Sequence, residues 1–152
     1  MGRAAGLADV HLVVGVAVLV LNLAAGVWGA AAWLAERASL YFWYVLRAAQ
    51  ASVVLQVLLG ATLLALGHEA EEPLHYVYGS LPLLVNLIAE GMRAGAAQRE
   101  LPEGVDFQAL AATEQRTIAL RIVRREMGVM TIGALLIVAL AFRAAQVSGK
   151  LF

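Results

Sequence analysis

The chain has 152 residues, of which 62% are hydrophobic and only 14% are charged, whereas about 25% are charged in a typical soluble domain. Its formal net charge is zero, so charge gives no indication of a nucleic-acid partner and we expect none. The absence of cysteine excludes disulfides, thiolate metal sites and iron–sulfur clusters within this chain, and leaves His, Asp and Glu as the strong metal ligands.

Four long apolar stretches follow one another along the chain. The first, from Val10 to Ala35, contains no Asp, Glu, Lys or Arg. A helix needs about 20 apolar residues to cross ~30 Å of hydrocarbon, so this stretch is long enough to span a membrane. It is also longer than the ~7–15 apolar residues of a signal peptide, and we therefore expect it to be retained as a span. The fold predicted is all-α, a four-helix transmembrane bundle. Its spans are predicted at about residues 9–35, 40–67, 73–95 and 127–147.

The segment between the third and fourth spans, about residues 96–126, has a soluble composition. Leu101-Pro102-Glu103-Gly104 is a break signal, and residues 106–126 contain neither Gly nor Pro. We expect a helix here that continues into the fourth span and extends it into the cytoplasm. The whole of 1–152 would then form a single membrane domain.

Three arginines of this segment share one helical face just inside the membrane: Arg121, Arg124 and Arg125, at spacings of three and four. We interpret them as a solvated stop-transfer cluster that touches anionic headgroups. The alternative is a specific lipid or protein partner.

The distribution of Lys and Arg predicts the orientation. With four spans, one side holds Arg3, Arg143 and Lys150, and the other side holds the remaining eight arginines. By the positive-inside rule the arginine-rich side is cytoplasmic, which places both termini outside in a bacterial inner membrane.

The three histidines are the main candidate site. His11 opens the first span, His68 follows the second and His75 opens the third, so antiparallel threading brings all of them to the outer side. A divalent metal is one predicted ligand, held by His11, His68, His75 and Glu72. A haem b is the other, held between His11 and His75, which lie about one turn inside their helices, with Arg143 pairing with a propionate. The alternative is that these are ordinary interfacial side chains.

Polar residues also fall inside the predicted spans. Arg47 and Glu90 lie at similar depth, and because an ionisable group in a membrane is usually paired, we predict an ion pair between them. We further predict that the amides of Asn22, Gln56 and Asn86, on three different helices, form hydrogen bonds with one another. Small residues are expected where helices approach closely, at Gly15, Gly26, Gly29, Gly60 and Gly133.

Two short segments carry a resemblance: Leu74-His75-Tyr76-Val77-Tyr78-Gly79, and Arg124-Arg125-Glu126-Met127-Gly128-Val129-Met130. In these the chain resembles small four-helix integral membrane proteins of bacteria, of the kind found in actinobacteria. The resemblance implies the fold and no activity. Small multidrug transporters are less similar, because they place an essential acid in the middle of the first span, where this chain has Asn22.

These observations lead to one main functional hypothesis, a small non-catalytic membrane protein that binds haem b or a metal ion and passes electrons. A second hypothesis is an accessory or assembly subunit of a larger membrane complex, or a homo-oligomer, whose small-residue faces contact a membrane-protein partner. A third is a small ion-coupled transporter that uses Glu90.

Overall fold

The computed structural model describes residues 2–100, 104 and 106–148, and these residues form helices and no strand. The break predicted at 101–104 lies outside the described residues except for Gly104. A 3-10 turn at Phe107–Ala109 precedes the last helix. The helices are α1 Gly2–Leu34, α2 Leu40–Ala65, α3 Leu74–Ala94, the short α4 Ala96–Glu100 and α5 Ala112–Val147.

Three of the described helices are long and apolar enough to cross a membrane: Gly6–Leu34 within α1, all of α2 and all of α5. Helix α3 forms where the third span was predicted, but it is more polar because it carries His75, Glu90 and Arg93. Many large apolar side chains lie on the outer surface, such as Val13, which is 67% exposed. A surface of this kind is compatible with contact to lipid.

Contacts between named residues give the directions of the helices. Early residues of α1 contact late residues of α2, so these two helices are antiparallel. Late residues of α1 contact the middle of α5, and the start of α3 contacts the end of α5, so α5 is antiparallel to both. Helix α1 packs along α2 and α5, and α3 packs along α5, whereas α2 and α3 contact each other much less.

The core consists of residues that recur at spacings of three and four, which keeps one face of each helix directed inward. One cluster is centred on Phe42 and Met130 and a second on Val53 and Ile137. Phe42 is fully buried, and the exposed fraction of the other three is 1% each. The apolar seam therefore holds the bundle together along its length.

Glycines set how closely the helices approach. All five predicted positions are confirmed, since a Cβ built on any of them would contact a side chain of another helix. At Gly26 the contacting side chain is Leu135 of α5, and at Gly133 it is Ala89 of α3. The sequence analysis missed one further position, Gly128, where the ring of Trp33 lies against α5.

Helix α5 confirms that the soluble segment and the fourth span form one continuous helix. At 36 residues it is about 54 Å long, well beyond the ~30 Å of a hydrocarbon core. It begins at Ala112 and not at Asp106, because the Asp106 carboxylate accepts a hydrogen bond from the Gln108 backbone N–H at 2.9 Å and caps the 3-10 turn instead.

The glycine contacts predict the effect of adding a methyl group. A Cβ at Gly29 would lie 2.5 Å from Cε2 of the buried Phe42 ring, so Gly29→Ala should destabilise the bundle by about 1–3 kcal/mol. Gly91 of α3 is the matched control, because nothing lies within 4 Å of a Cβ there. Gly91→Ala should be neutral or slightly stabilising in the same unfolding measurement in detergent, and equal losses for the two variants would contradict the packing described.

Candidate functional site

The structure brings His11 of α1 and His75 of α3 together at one end of the bundle. Their ring centroids are 6.3 Å apart and the ring planes are inclined at 63°. Both side chains are half-buried. Two imidazoles on separate helices thus face each other where α1, α2, α3 and α5 meet.

His75 is oriented by the backbone of α5. Its Nδ1 lies 3.1 Å from the carbonyl oxygen of the buried Ala144. Because a carbonyl only accepts, Nδ1 carries the proton and donates it, which leaves the lone pair of a neutral imidazole on Nε2. A backbone carbonyl in this position is the usual orienting partner of a metal-ligating histidine.

His11 is positioned by helix α2. The side-chain amide of Gln56 lies 3.2 Å from Nε2 of His11. One turn further along α2, a Cβ on Gly60 would lie 3.2 Å from Cε1 of His11. One turn along α1, a Cβ on Gly15 would lie 3.0 Å from Nε2 of Gln56. Each helix therefore provides a glycine that makes room for the polar side chain of the other.

The metal set predicted from the sequence is not assembled. Among residues 2–100, 104 and 106–148, no three His, Asp or Glu side chains are grouped so that they could hold a metal ion. His68 is exposed because Gly67, at φ +81°, ends α2 in a Schellman turn, with the His68 N–H donating to the Leu63 carbonyl at 3.0 Å. Glu72 is exposed in the bend before α3.

Arg143 lies in the last part of α5, next to the residue whose carbonyl binds His75. It is exposed and directly precedes Ala144, whose carbonyl binds His75. Its guanidinium carbon lies 5.9 Å from the centre of the Tyr78 ring, and the guanidinium donates a hydrogen bond to Gln146 at 3.3 Å. A cation is thus held near the start of α3.

A second polar cluster joins α2 to α3 near the opposite end. The predicted ion pair is confirmed, because Arg47 donates to Oε1 of Glu90 at 2.5 Å. Gln50 donates to the same oxygen at 2.8 Å, and Arg93 donates to Oε2 at 2.8 Å. The sequence analysis missed Gln50 and Arg93, although the spacing of three between Glu90 and Arg93 indicates a pair on one helix. The cluster bridges α2 and α3, which otherwise make few contacts with each other.

The prediction that the amides of Asn22, Gln56 and Asn86 bond to one another is wrong. Asn22, which is 1% exposed, donates to the Val18 carbonyl of its own helix at 2.8 Å, and Gln56 binds His11 instead. Gln56 lies at the level of His11. Asn22 lies about three helical turns further along the bundle axis, which is too far for a hydrogen bond to Gln56. Within the described residues, several buried polar atoms have no hydrogen-bond partner: Oδ1 of Asn22, Oε1 of Gln56, Nδ2 of Asn86 and Oγ1 of Thr131.

The buried asparagines and the histidines are related by spacing. Asn22 follows His11 by eleven residues, and Asn86 follows His75 by eleven residues. Eleven residues are about three helical turns, so the two side chains of each helix share a face about 16 Å apart along the axis. The interior of the bundle therefore has polar groups at the level of the histidines and again near its middle.

Comparison with known proteins adds no assignment, because no family model, curated protein or solved structure matches the chain.

The Glu90 cluster predicts a measurable coupling. Glu90→Gln and Arg47→Gln should each lower the thermal stability in detergent, with Glu90→Gln costing more because its carboxylate accepts from three donors. Arg47 is half exposed, so the coupling in a double-mutant cycle should be about 1 kcal/mol and not the several kcal/mol of a fully buried pair.

Arg99→Gln, a change at an exposed arginine outside this cluster, is the matched control and should leave the stability unchanged. Strictly additive losses from Arg47→Gln and Glu90→Gln would show that the two side chains do not interact in the protein.

Proposed function

We propose that the protein spans a bacterial inner membrane four times, with α3 as the third span and both termini outside. Helix α3 has 21 residues and is about 31 Å long, which matches the hydrocarbon thickness. It lies along α5, one of the three strongly apolar helices, and its most polar side chain, Glu90, is bound by three donors. The arginine excess in the segments before α2 and within the first half of α5 supports the orientation.

Cysteine labelling tests this orientation, since the chain has no cysteine of its own. Ala112→Cys, at the exposed start of α5, should be shielded from an impermeant thiol reagent in intact cells and should react after lysis. Glu71→Cys, in the exposed loop between α2 and α3, should react in intact cells. The reversed pattern would overturn the proposed orientation.

The His11 and His75 pair is the proposed ligand site, and a haem b is the proposed ligand. The observation that carries the proposal is the separation of 6.3 Å between the two ring centroids. Two metal–nitrogen bonds of about 2 Å place the centres of two coordinating imidazoles roughly 6 Å apart. A haem supplies four nitrogens of its own, so it needs only two protein ligands, and this suits a pair that no third ligand joins among the described residues.

Two further contacts support the fit. The Ala144 carbonyl holds His75 in the form whose Nε2 lone pair is available to a metal. His11 contacts Gln56 of α2 and His75 of α3, so the pair borders the α2–α3 interface, which is packed less closely than α1 with α2 or α3 with α5. A flat macrocycle would enter through this interface. Coordination by His11 through Nε2 would replace the contact with Gln56.

This arrangement predicts the chemistry that the protein supports. Iron bound by two imidazoles has no open position for a substrate, so the site would exchange electrons and would not bind or activate a small molecule. Arg143, exposed near the same end of the bundle, is the proposed partner of a haem propionate, because a guanidinium binds a carboxylate through charge-assisted hydrogen bonds.

Haem binding is tested by the absorption spectrum of detergent-purified protein, before and after addition of haemin. The wild-type protein should show a low-spin Soret spectrum at one haem per chain. His75→Ala and His11→Ala should each abolish that spectrum, because each removes one axial ligand. His68→Ala is the matched control and should keep it, since His68 is exposed and does not belong to the pair.

Protein that contains no haem and takes none up would contradict this proposal. A spectrum that survives both His11→Ala and His75→Ala would also contradict it, by placing the haem elsewhere. The first result would favour the accessory-subunit hypothesis.

A further inference from the structure

A cavity of about 220 Å³ lies at the opposite end of the bundle from the histidine pair, between the end of α1, the turn that follows it and the first half of α5. Its lining includes the apolar residues Ala32, Trp33 and Met127. It also includes the cationic residues Arg37, Arg121 and Arg124, together with the acidic Glu36. The cavity therefore combines an apolar surface with a concentration of positive charge.

The turn after α1 gives the cavity its shape. The N–H of Arg37 donates to the Ala32 carbonyl at 2.9 Å, and the N–H of Glu36 donates to the Trp33 carbonyl at 3.1 Å, which is a Schellman turn. Glu36 occupies the left-handed position at φ +55°, where glycine is usual. Its carboxylate accepts from Arg124 at 2.8 Å and so fastens the strained turn to α5.

The ring of Trp33 is held in place by a close contact with α5. A Cβ on Gly128 would lie 2.9 Å from Cε2 of Trp33, so the indole packs directly against the α5 backbone. Tryptophan is enriched at the boundary between hydrocarbon and headgroups, and Trp33 stands at the end of the apolar run of α1. The cavity accordingly lies where the headgroup layer would meet the bundle.

The charges of the cavity do not balance. Glu36 compensates Arg124 at 2.8 Å. Arg121 lies 3.9 Å from a Glu100 carboxylate that Arg125 binds more closely, at 3.0 Å, so its charge is only partly compensated. Among the described residues Arg37 forms no ion pair. The cavity therefore keeps excess positive charge at Arg37 and Arg121, and guanidinium groups bind phosphate oxygens in bidentate fashion.

We propose that this cavity binds the phosphate of an anionic phospholipid, with Arg37 and Arg121 on the phosphate and the Trp33 ring against the glycerol and upper acyl region. A lipid is favoured over a free phosphate because the lining combines arginines with apolar side chains at the end of an apolar helix. The inference rests on the membrane placement of α1 and α5 and is independent of haem binding.

The test is a titration of the full-length protein in a neutral detergent, followed by its thermal unfolding. The probes are short-chain phosphatidylglycerol, the matching phosphatidylcholine and inorganic phosphate. Phosphatidylglycerol should raise the unfolding temperature saturably, whereas phosphatidylcholine should not. Arg37→Gln and Arg121→Gln should each weaken the apparent affinity by about tenfold, as expected for the loss of a charge-assisted contact.

Arg116→Gln is the matched control, because Arg116 is an exposed arginine of α5 that does not line the cavity. It should bind phosphatidylglycerol like the wild type.

Equal stabilisation by phosphatidylcholine, or unchanged affinity in Arg37→Gln and Arg121→Gln, would overturn the proposal. Saturation by inorganic phosphate with no further gain from phosphatidylglycerol would overturn the lipid assignment. The Soret spectrum of Arg37→Gln should match that of the wild type, so failure of the haem proposal and failure of this one are distinguishable.

Discussion

The structure depends on the close approach of α1 to α2 and α5, which glycines permit. Gly26 and Gly29 have no side chain, and this lets α5 pack directly against α1. At the histidine end, Gly15 and Gly60 allow the same close approach between α1 and α2. In a membrane, where lipid is as apolar as leucine, helices associate through such close packing more than through hydrophobic burial. The glycines also fix the axial register of α1, and so the level at which His11 lies.

This register brings polar groups together at both ends of the bundle. At one end Gln56 and the Ala144 carbonyl position the two imidazoles, and at the other Arg47, Gln50 and Arg93 surround the Glu90 carboxylate. Polar groups in an apolar surrounding are costly unless they are bonded. The hydrogen-bond partners of His75 and Glu90 therefore lower the cost of placing these two side chains in the bundle.

The two proposed sites lie at opposite ends of one continuous helix. The carbonyl of Ala144 in α5 holds His75, while Arg121 and Arg124 of the same helix line the cationic cavity. At about 54 Å, α5 is long enough to cross the hydrocarbon and still extend beyond it. A lipid bound at one end would thus anchor the helix that orients a ligand at the other.

The sequence predicted most of the backbone of this structure and part of its site. The helices, the glycine contacts and the Arg47 pair with Glu90 follow from apolar length, from residue size and from the cost of an unpaired charge, which are local properties. The four residues of the predicted metal set are not grouped among the described residues, because the turn at Gly67 ends α2 and leaves His68 exposed.

The same distinction explains the other differences. Depth alone suggested that Asn22 and Gln56 would bond, but their register along paired helices places Gln56 beside His11. Likewise, nothing in the local sequence shows that Trp33 packs on Gly128, because that contact joins two distant helices. Both contacts depend on the axial register between two helices, which a local sequence pattern does not contain.

The central claim is that His11 and His75 act together as the two ligands of one iron. Low-temperature electron paramagnetic resonance of the ferric, haem-loaded protein tests it most directly, because the spin state reports the axial ligands. The account predicts a low-spin signal of a bis-imidazole haem in the wild type, which becomes high-spin or disappears in His75→Ala. A high-spin signal in the wild type, or a low-spin signal unchanged in His75→Ala, would contradict it.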